Sequence, residues 1–191
     1  MKPMKLSRPI ALAALCLFAG TASAHTGSQT LAGFTGGLIH PLLGLDHLLA
    51  MIAVGLWAAQ QGGRALWAVP AAFVAATGLG GALAWTGGEL PQVETAIALS
   101  VLALGLLIAT RRRWAVPAGM AAAAVFALFH GYAHGLEMPQ AASPMPYALG
   151  FVLATVFLHG AGIAGSLAGR RAVQAAGAGI ATAGLALIFA M

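Results

Sequence analysis

Across 191 residues the chain has a single cysteine and four acidic side chains, and only 7% of its residues carry charge. A soluble globular domain carries about 25%. So little charge cannot cover the surface of a water-soluble fold, and it places the chain in a lipid bilayer. The scarcity of cysteine excludes a disulfide framework. No Walker-type motif is present, and no polar stretch is long enough for a soluble module that would hydrolyse a nucleotide. Apolar residues fill the chain instead: 60% are hydrophobic, and the mean hydropathy is +0.91.

The lone Cys16 falls in a stretch that reads as removable. Lys2, Lys5 and Arg8 form a basic n-region, Ile10 to Gly20 a short apolar core, and Ala22-Ser23-Ala24 an A-x-A cleavage site. Residues 1–24 are therefore expected to be a secretory signal peptide. Bulky Leu15 before Cys16 argues against lipoprotein processing. Cleavage after Ala24 makes His25 the first mature residue and removes three basic side chains, taking the formal charge from +5 to +2. The high pI then carries no suggestion of nucleic acid, and no thiolate remains as a metal ligand.

Residues 25–191 are expected to form one all-α domain, a polytopic membrane helix bundle of six transmembrane helices. A span takes about 20 mainly apolar residues, and such runs occur at about 36–59, 65–86, 92–110, 115–136, 147–168 and 171–190. With His25 in the periplasm, Arg64, Arg111, Arg112, Arg113, Arg170 and Arg171 all fall on the cytoplasmic side, as the positive-inside rule requires. That topology fits a bacterial inner membrane. Trp57, Trp67, Trp85 and Trp114 lie near span ends, where tryptophan anchors at the interface. Gly160, Gly162, Gly165, Gly169, Gly177, Gly179 and Gly184 suit close packing between helices. Glu89 and Glu94, at an outer turn, read as structural, Glu94 complementing a helix N-terminus.

Against this background the polar residues stand out. A charged side chain near the bilayer centre costs roughly 2.5–3.5 kcal/mol on insertion scales. Yet the first span holds His40-Pro41-Leu42-Leu43-Gly44-Leu45-Asp46-His47. On an unbroken helix His40 and His47 are nearly two turns apart and share a face, with Asp46 beside it. In the fourth span His130 and His134 are spaced i, i+4 on one face, and Glu137 continues that face outward. His159 lies near the middle of the fifth span. At about 1.5 Å of rise per residue, Asp46 and His47 lie on the order of 15 Å below the outer boundary, His159 roughly 18 Å and His130 about 10 Å. Sharing the outer half or the midplane is what a pathway open to the outside needs.

Imidazoles with a few carboxylates and no thiolate suit Ni(II), Co(II), Cu(II) or Zn(II) rather than Mg(II) or Ca(II). His25 adds an α-amine and a ring for capture at the mature N-terminus. Met51, Met120 and Met138 read as packing. For any one of these histidines the plain alternative is a ring satisfied by a backbone carbonyl between helices. Two other chemistries use the same residues. An intramembrane hydrolase needs three ligands and an open position, which His130, His134 and a third histidine supply, but Gly131 follows His130 where H-E-x-x-H has glutamate. A haem module needs axial histidines from two spans.

The stretches His40-Pro41-x-x-Gly44-x-Asp46-His47-x-x-Ala50-Met51-x-x-Val54-Gly55, Phe129-His130-Gly131-x-Ala133-His134-Gly135-x-Glu137 and Ala154-Thr155-x-x-Leu158-His159-x-x-Gly162 resemble the HupE/UreJ family over essentially the whole mature chain. Members are hydrogenase- and urease-accessory membrane proteins regarded as nickel, sometimes cobalt, permeases. The resemblance implies that His40, Asp46 and His47 handle metal in the first span, and His130, His134 and Glu137 in the fourth. It implies a secondary permease rather than an enzyme, with a divalent cation as cargo and no organic cofactor.

Overall fold

The computed structural model describes residues 33–138 and 143–191. The expected signal segment, His25 and the middle of the Met138–Pro146 loop lie outside the described residues. Within them the chain forms α1 (Phe34–Leu43), α2 (Leu45–Gln61), α3 (Ala65–Trp85), α4 (Val93–Thr110), α5 (Val116–Glu137), α6 (Pro144–Gly165) and α7 (Arg170–Ala190), with a 3-10 turn at Ser166–Ala168 after α6. No strand occurs among the described residues. Helices α3 to α7, with the 3-10 turn continuing α6, give five segments long and apolar enough to cross a membrane, and α1 with α2 makes a sixth if the pair is one crossing.

Local chemistry places the boundaries. Proline stands in the first turn of α5 and of α6, where its missing N–H is an orphan of the helix start in any case. Gly62 (φ 72°) and Gly169 (φ 92°) turn the chain out of α2 and into α7 with backbone angles that suit only glycine.

The first span departs from the expected single helix. It breaks at Gly44, whose extended backbone (φ −92°, ψ 119°) ends α1 and starts α2, and the two axes meet at 88°. Pro41 inside α1 removes one helical hydrogen bond, and Gly44 lowers the cost of leaving the helix. His40 and His47 therefore do not share one helical face. The break also puts Asp46 in the first turn of α2, where a negative charge is favoured. The straight-helix depths assigned to Asp46 and His47 lapse with it.

Helix α2 is the centre of the bundle, packed on α6, α4 and α3. Met51, Val54 and Trp57 of α2 are wholly buried, against Val69 and Phe73 of α3 and Leu104 and Ile108 of α4. Trp57 is thus a core residue rather than an interfacial anchor, its ring edge-on to Trp114 at 5.6 Å. Trp67, Trp85 and Trp114 are exposed as anchors should be. Outward-facing apolar side chains such as Leu79 and Phe157 give the bundle a lipid-compatible surface.

Glycines set the closest approaches, in reciprocal pairs. A Cβ on Gly55 would overlap the His159 carbonyl, and one on Gly162 the Ile52 carbonyl, so α2 and α6 touch backbone to backbone. Gly80 and Gly131 do the same for α3 and α5, and Gly105 and Gly177 for α4 and α7. Of the glycines expected to pack helices, Gly162, Gly177 and Gly184 do so, whereas Gly160 and Gly179 face open space and Gly169 serves a turn.

Gly162→Ala is expected to destabilise the detergent-solubilised protein by about 1–3 kcal/mol through overpacking. Gly160→Ala, at an open position inside α6, should leave stability unchanged or raise it by up to about 1 kcal/mol. Paired thermal melts check both, and equal loss in the two would refute the packing assignment.

Candidate metal-binding site

The break at Gly44 and the i, i+4 spacing on α5 together build a row of imidazoles. His40 at the end of α1 meets His134 edge-on, with ring centroids 4.8 Å apart. His134 meets His47 of α2 at 3.9 Å, and His47 meets His130 at 5.0 Å. The order His40–His134–His47–His130 runs from the half-exposed end of the row to a fully buried one. Alternate members come from α5 and from the two halves of the broken first span, α1 and α2.

Carboxylates flank the row. His40 Nε2 lies 2.9 Å from Glu137 Oε2, a hydrogen bond in which the imidazole donates, and the same oxygen is 3.5 Å from His134 Nδ1. Asp46 Oδ1 accepts the His47 backbone N–H at 2.8 Å and lies 3.0 Å from His47 Nδ1. One ligand atom each from His40, His134 and Glu137 lie within 4.8 Å of one another, a set able to hold a metal ion. A first-row ion with ligands at about 2.1 Å spans about 4.2 Å between opposite donors. Slight rotation of these side chains therefore closes a shell that stays open on the exposed side of His40 and Glu137.

The buried nitrogens give an independent test of fit. Both nitrogens of His134 and the Nδ1 atoms of His47 and His130 are buried without a hydrogen-bond partner. Leaving such an atom unsatisfied costs about 1–3 kcal/mol, a cost that those of these nitrogens carrying a lone pair recover when a cation binds. Neutral imidazole is the form that ligates.

The deeper histidines are held in defined tautomers. Ser100 of α4 donates its hydroxyl proton to the Ile97 carbonyl at 2.7 Å, which leaves its lone pairs facing His130 Nε2 at 2.8 Å. His130 then carries its proton on Nε2 and presents Nδ1 bare. His159 Nδ1 donates to the Met51 carbonyl at 2.8 Å, leaving Nε2 bare and buried. This fixing of one ring nitrogen by a hydrogen bond at the other is how outer groups orient ligating histidines.

His159 stands apart from the row. Between it and His130 lies the Phe73 ring, 5.1 Å from His159 and 5.9 Å from His130. The structure therefore joins His40, Asp46, His47, His130, His134 and Glu137 in one constellation and sets His159 beyond an aromatic side chain. Met51 contributes a backbone carbonyl, not sulfur. Glu94, read from sequence as structural, lies in the first turn of α4.

Several contributors went unrecognised in the sequence. Ser100 is the one hydroxyl in the middle of its span, a signal that was available. Phe151 packs on His134 at 4.3 Å and Tyr147 edge-on to His40 at 5.9 Å. Nothing separates these rings from ordinary lipid-facing aromatics until the helices are packed.

The family model described as HupE / UreJ protein matches residues 13–187 of the chain. The protein named Protein HupE from Rhizobium leguminosarum bv. viciae is 44% identical over 193 residues, covering 98% of this chain and 99% of its own length. No solved structure matches.

Ser100→Ala is expected to leave the His130 Nε2–H without an acceptor, costing about 1–3 kcal/mol of stability. Nitrogen-15 spectra of histidine-labelled protein should also show His130 losing its single tautomer. Ser100→Thr, which keeps the hydroxyl, should retain it. An unchanged His130 signal in Ser100→Ala would refute the hydrogen-bond assignment.

Proposed function

Because this chain belongs to the HupE/UreJ family, we propose that it is a secondary, ATP-independent permease for Ni(II), with Co(II) a second candidate cargo. It brings the ion from the periplasm to the cytoplasm across the bacterial inner membrane, for delivery to metalloenzymes such as hydrogenase or urease. The observation that carries the reading is the row His40–His134–His47–His130 with Glu137 at one end and Asp46 against its middle. Nitrogen and carboxylate donors without thiolate suit a borderline first-row cation.

In this mechanism Glu137 and His40 take the ion first. With His40 as an imidazolium, the Nε2 proton it shares with Glu137 Oε2 leaves to the outside as the cation takes its place, and the ring keeps its Nδ1 proton as a neutral ligand. His25, at the mature N-terminus, feeds this outer end. His134 lies in ring contact with His40 on one side and His47 on the other, which lets ligands exchange one at a time toward His47 and His130. Asp46 offsets the charge of the ion beside His47. His130, fixed by Ser100, offers Nδ1 at the buried end, and His159 offers Nε2 beyond Phe73. Each step trades one ligand for the next, so no site completes a closed shell. Selective passage needs such incomplete ligation, because conduction requires binding weak enough to release.

Radioactive nickel uptake in cells that lack their own nickel importers tests this reading. Wild type should accumulate nickel above empty vector. Asp46→Asn, His47→Ala and Glu137→Gln should each reduce uptake at least tenfold at matched membrane levels. Cobalt competing as strongly as nickel would replace nickel selectivity with a broader one, and absence of uptake for nickel, cobalt and zinc would reject the permease. Because only neutral imidazole and ionised carboxylate ligate, protons compete with nickel for these groups, so nickel binding to purified protein should weaken as pH falls and release a proton from each group that was protonated. Calorimetry in buffers of different ionisation enthalpy reads that release directly, and equal heats in all of them would count against the proton-displacing capture.

A further inference from the structure

At the opposite end of the bundle from the histidines lies a second polar feature. A hollow of about 220 Å³ is lined by Gln60 at the end of α2, Arg111 and Arg113 after α4, Ser166 in the 3-10 turn and Arg170 at the start of α7. Arg170, with Arg171 and Gln174, also lines an adjoining, more open hollow. The positive-inside rule accounts for arginines on one side of the membrane. It does not account for three of them converging from two connections onto one cavity.

Nor is their arrangement loose. Arg111 is held at φ 54°, a left-handed conformation uncommon for a side-chain-bearing residue. Glutamine amides from neighbouring helices clamp the backbone around it. Gln60 Nε2 donates to the Ile108 carbonyl at 3.0 Å, and Gln174 Nε2 to the Ala109 carbonyl at 3.1 Å. Gln61 Nε2 donates to the Arg112 carbonyl, and Gln61 Oε1 accepts the Trp114 N–H, both at 3.0 Å. The connection carrying Arg111–Arg113 is thus fixed to both α2 and α7 before any ligand arrives.

The counter-charge for these guanidinium groups cannot come from the chain. Its four acidic residues are Asp46, Glu89, Glu94 and Glu137. Asp46 opens α2, Glu89 lies between α3 and α4, Glu94 is in the first turn of α4 and Glu137 closes α5, all at the histidine end. The ion pairs found among the described residues all join a histidine to a carboxylate. The C-terminal end of α7 is likewise remote from Arg170.

We propose that this cavity binds the phosphate of an anionic phospholipid headgroup from the adjacent leaflet. Arginine's planar fork matches phosphate oxygens, and basic pockets between span ends are where such headgroups bind. The surroundings favour a lipid over free phosphate. Leu167, next to Ser166, is 87% exposed, and Trp114, next to Arg113, is 42% exposed, so apolar surface for acyl chains adjoins the arginines. The bound phosphate would tie α2, α4 and α7 together at this end. The proposal does not depend on which cation the protein carries.

Native mass spectrometry of the full chain, released from micelles containing equal phosphatidylglycerol and phosphatidylcholine, tests it. Wild type should retain phosphatidylglycerol preferentially, and the double variant Arg111→Gln/Arg170→Gln should bind it about tenfold less. Arg64→Gln, which removes an arginine that does not line the hollow, should retain it, and the charge-keeping Arg111→Lys/Arg170→Lys should bind it more weakly than wild type but more tightly than the glutamine double variant. A thermal melt of each variant in detergent excludes simple unfolding. Equal losses in Arg64→Gln and the double variant would reduce the effect to diffuse charge attraction and overturn the site. Displacement of phosphatidylglycerol by millimolar inorganic phosphate, without preference between the two lipids, would assign the cavity to free phosphate and overturn the lipid assignment.

Discussion

Bringing several imidazoles and two carboxylates together inside an apolar bundle is the constraint on which the rest of this structure depends. Each polar atom withdrawn from water needs a partner, and the helices must be shaped so that these groups supply one another. The break at Gly44 is the main device. By turning the chain through 88°, it brings His40 and His47 to α5 from two directions, where a continuous helix would present both from one face. It also places Asp46 at a helix start, where its charge is best tolerated. Irregular backbone at membrane depth is tolerated where protein buries it or a cavity is lined, and interrupted spans mark ion sites in many transporters.

The glycine contacts serve the same end. The helices that carry the row are seated by close approaches to their neighbours: α2 approaches α6 through Gly55 and Gly162, and α3 approaches α5 through Gly80 and Gly131. The first contact seats His159 against the Met51 carbonyl, and the second positions the helix that carries His130 and His134. Packing and chemistry are therefore coupled: a methyl group added at these glycines would move ligands as well as loosen the bundle. Ser100 extends this coupling to α4, because its hydroxyl decides which nitrogen of His130 faces the row. The two ends of the protein are also electrostatically segregated, acids with the histidines at one and uncompensated arginines at the other.

Much was legible without coordinates. Sparse charge and long apolar runs imply a helical membrane protein, since in lipid every backbone polar group must be satisfied within the segment. The i, i+4 pair on α5 follows from helical periodicity, and His130, His134 and Glu137 do lie along one side of α5. His40, Asp46 and His47 were recognisable as residues too costly to be in a membrane without a purpose. The bend was not recognised, although Pro41 and Gly44 signal it, because apolar periodicity runs through both halves unchanged. Trp57 was misplaced for a related reason: nearness to a span end does not say whether a neighbouring helix covers the ring.

What the sequence determined by itself was therefore the class of fold, the gathering of arginines in the connections between spans and the set of polar residues inside them, because these follow from composition, hydrophobic length and local spacing. The tertiary structure decided which donors meet. It joined His40 to His134 across 94 positions of sequence and set Phe73 between His130 and His159. It gave His130 its tautomer through Ser100 and gathered Arg111, Arg113 and Arg170 around one hollow. Contacts between helices depend on where small residues allow backbones to approach and on the direction each axis takes after a break. Neither is a property of any single stretch of chain.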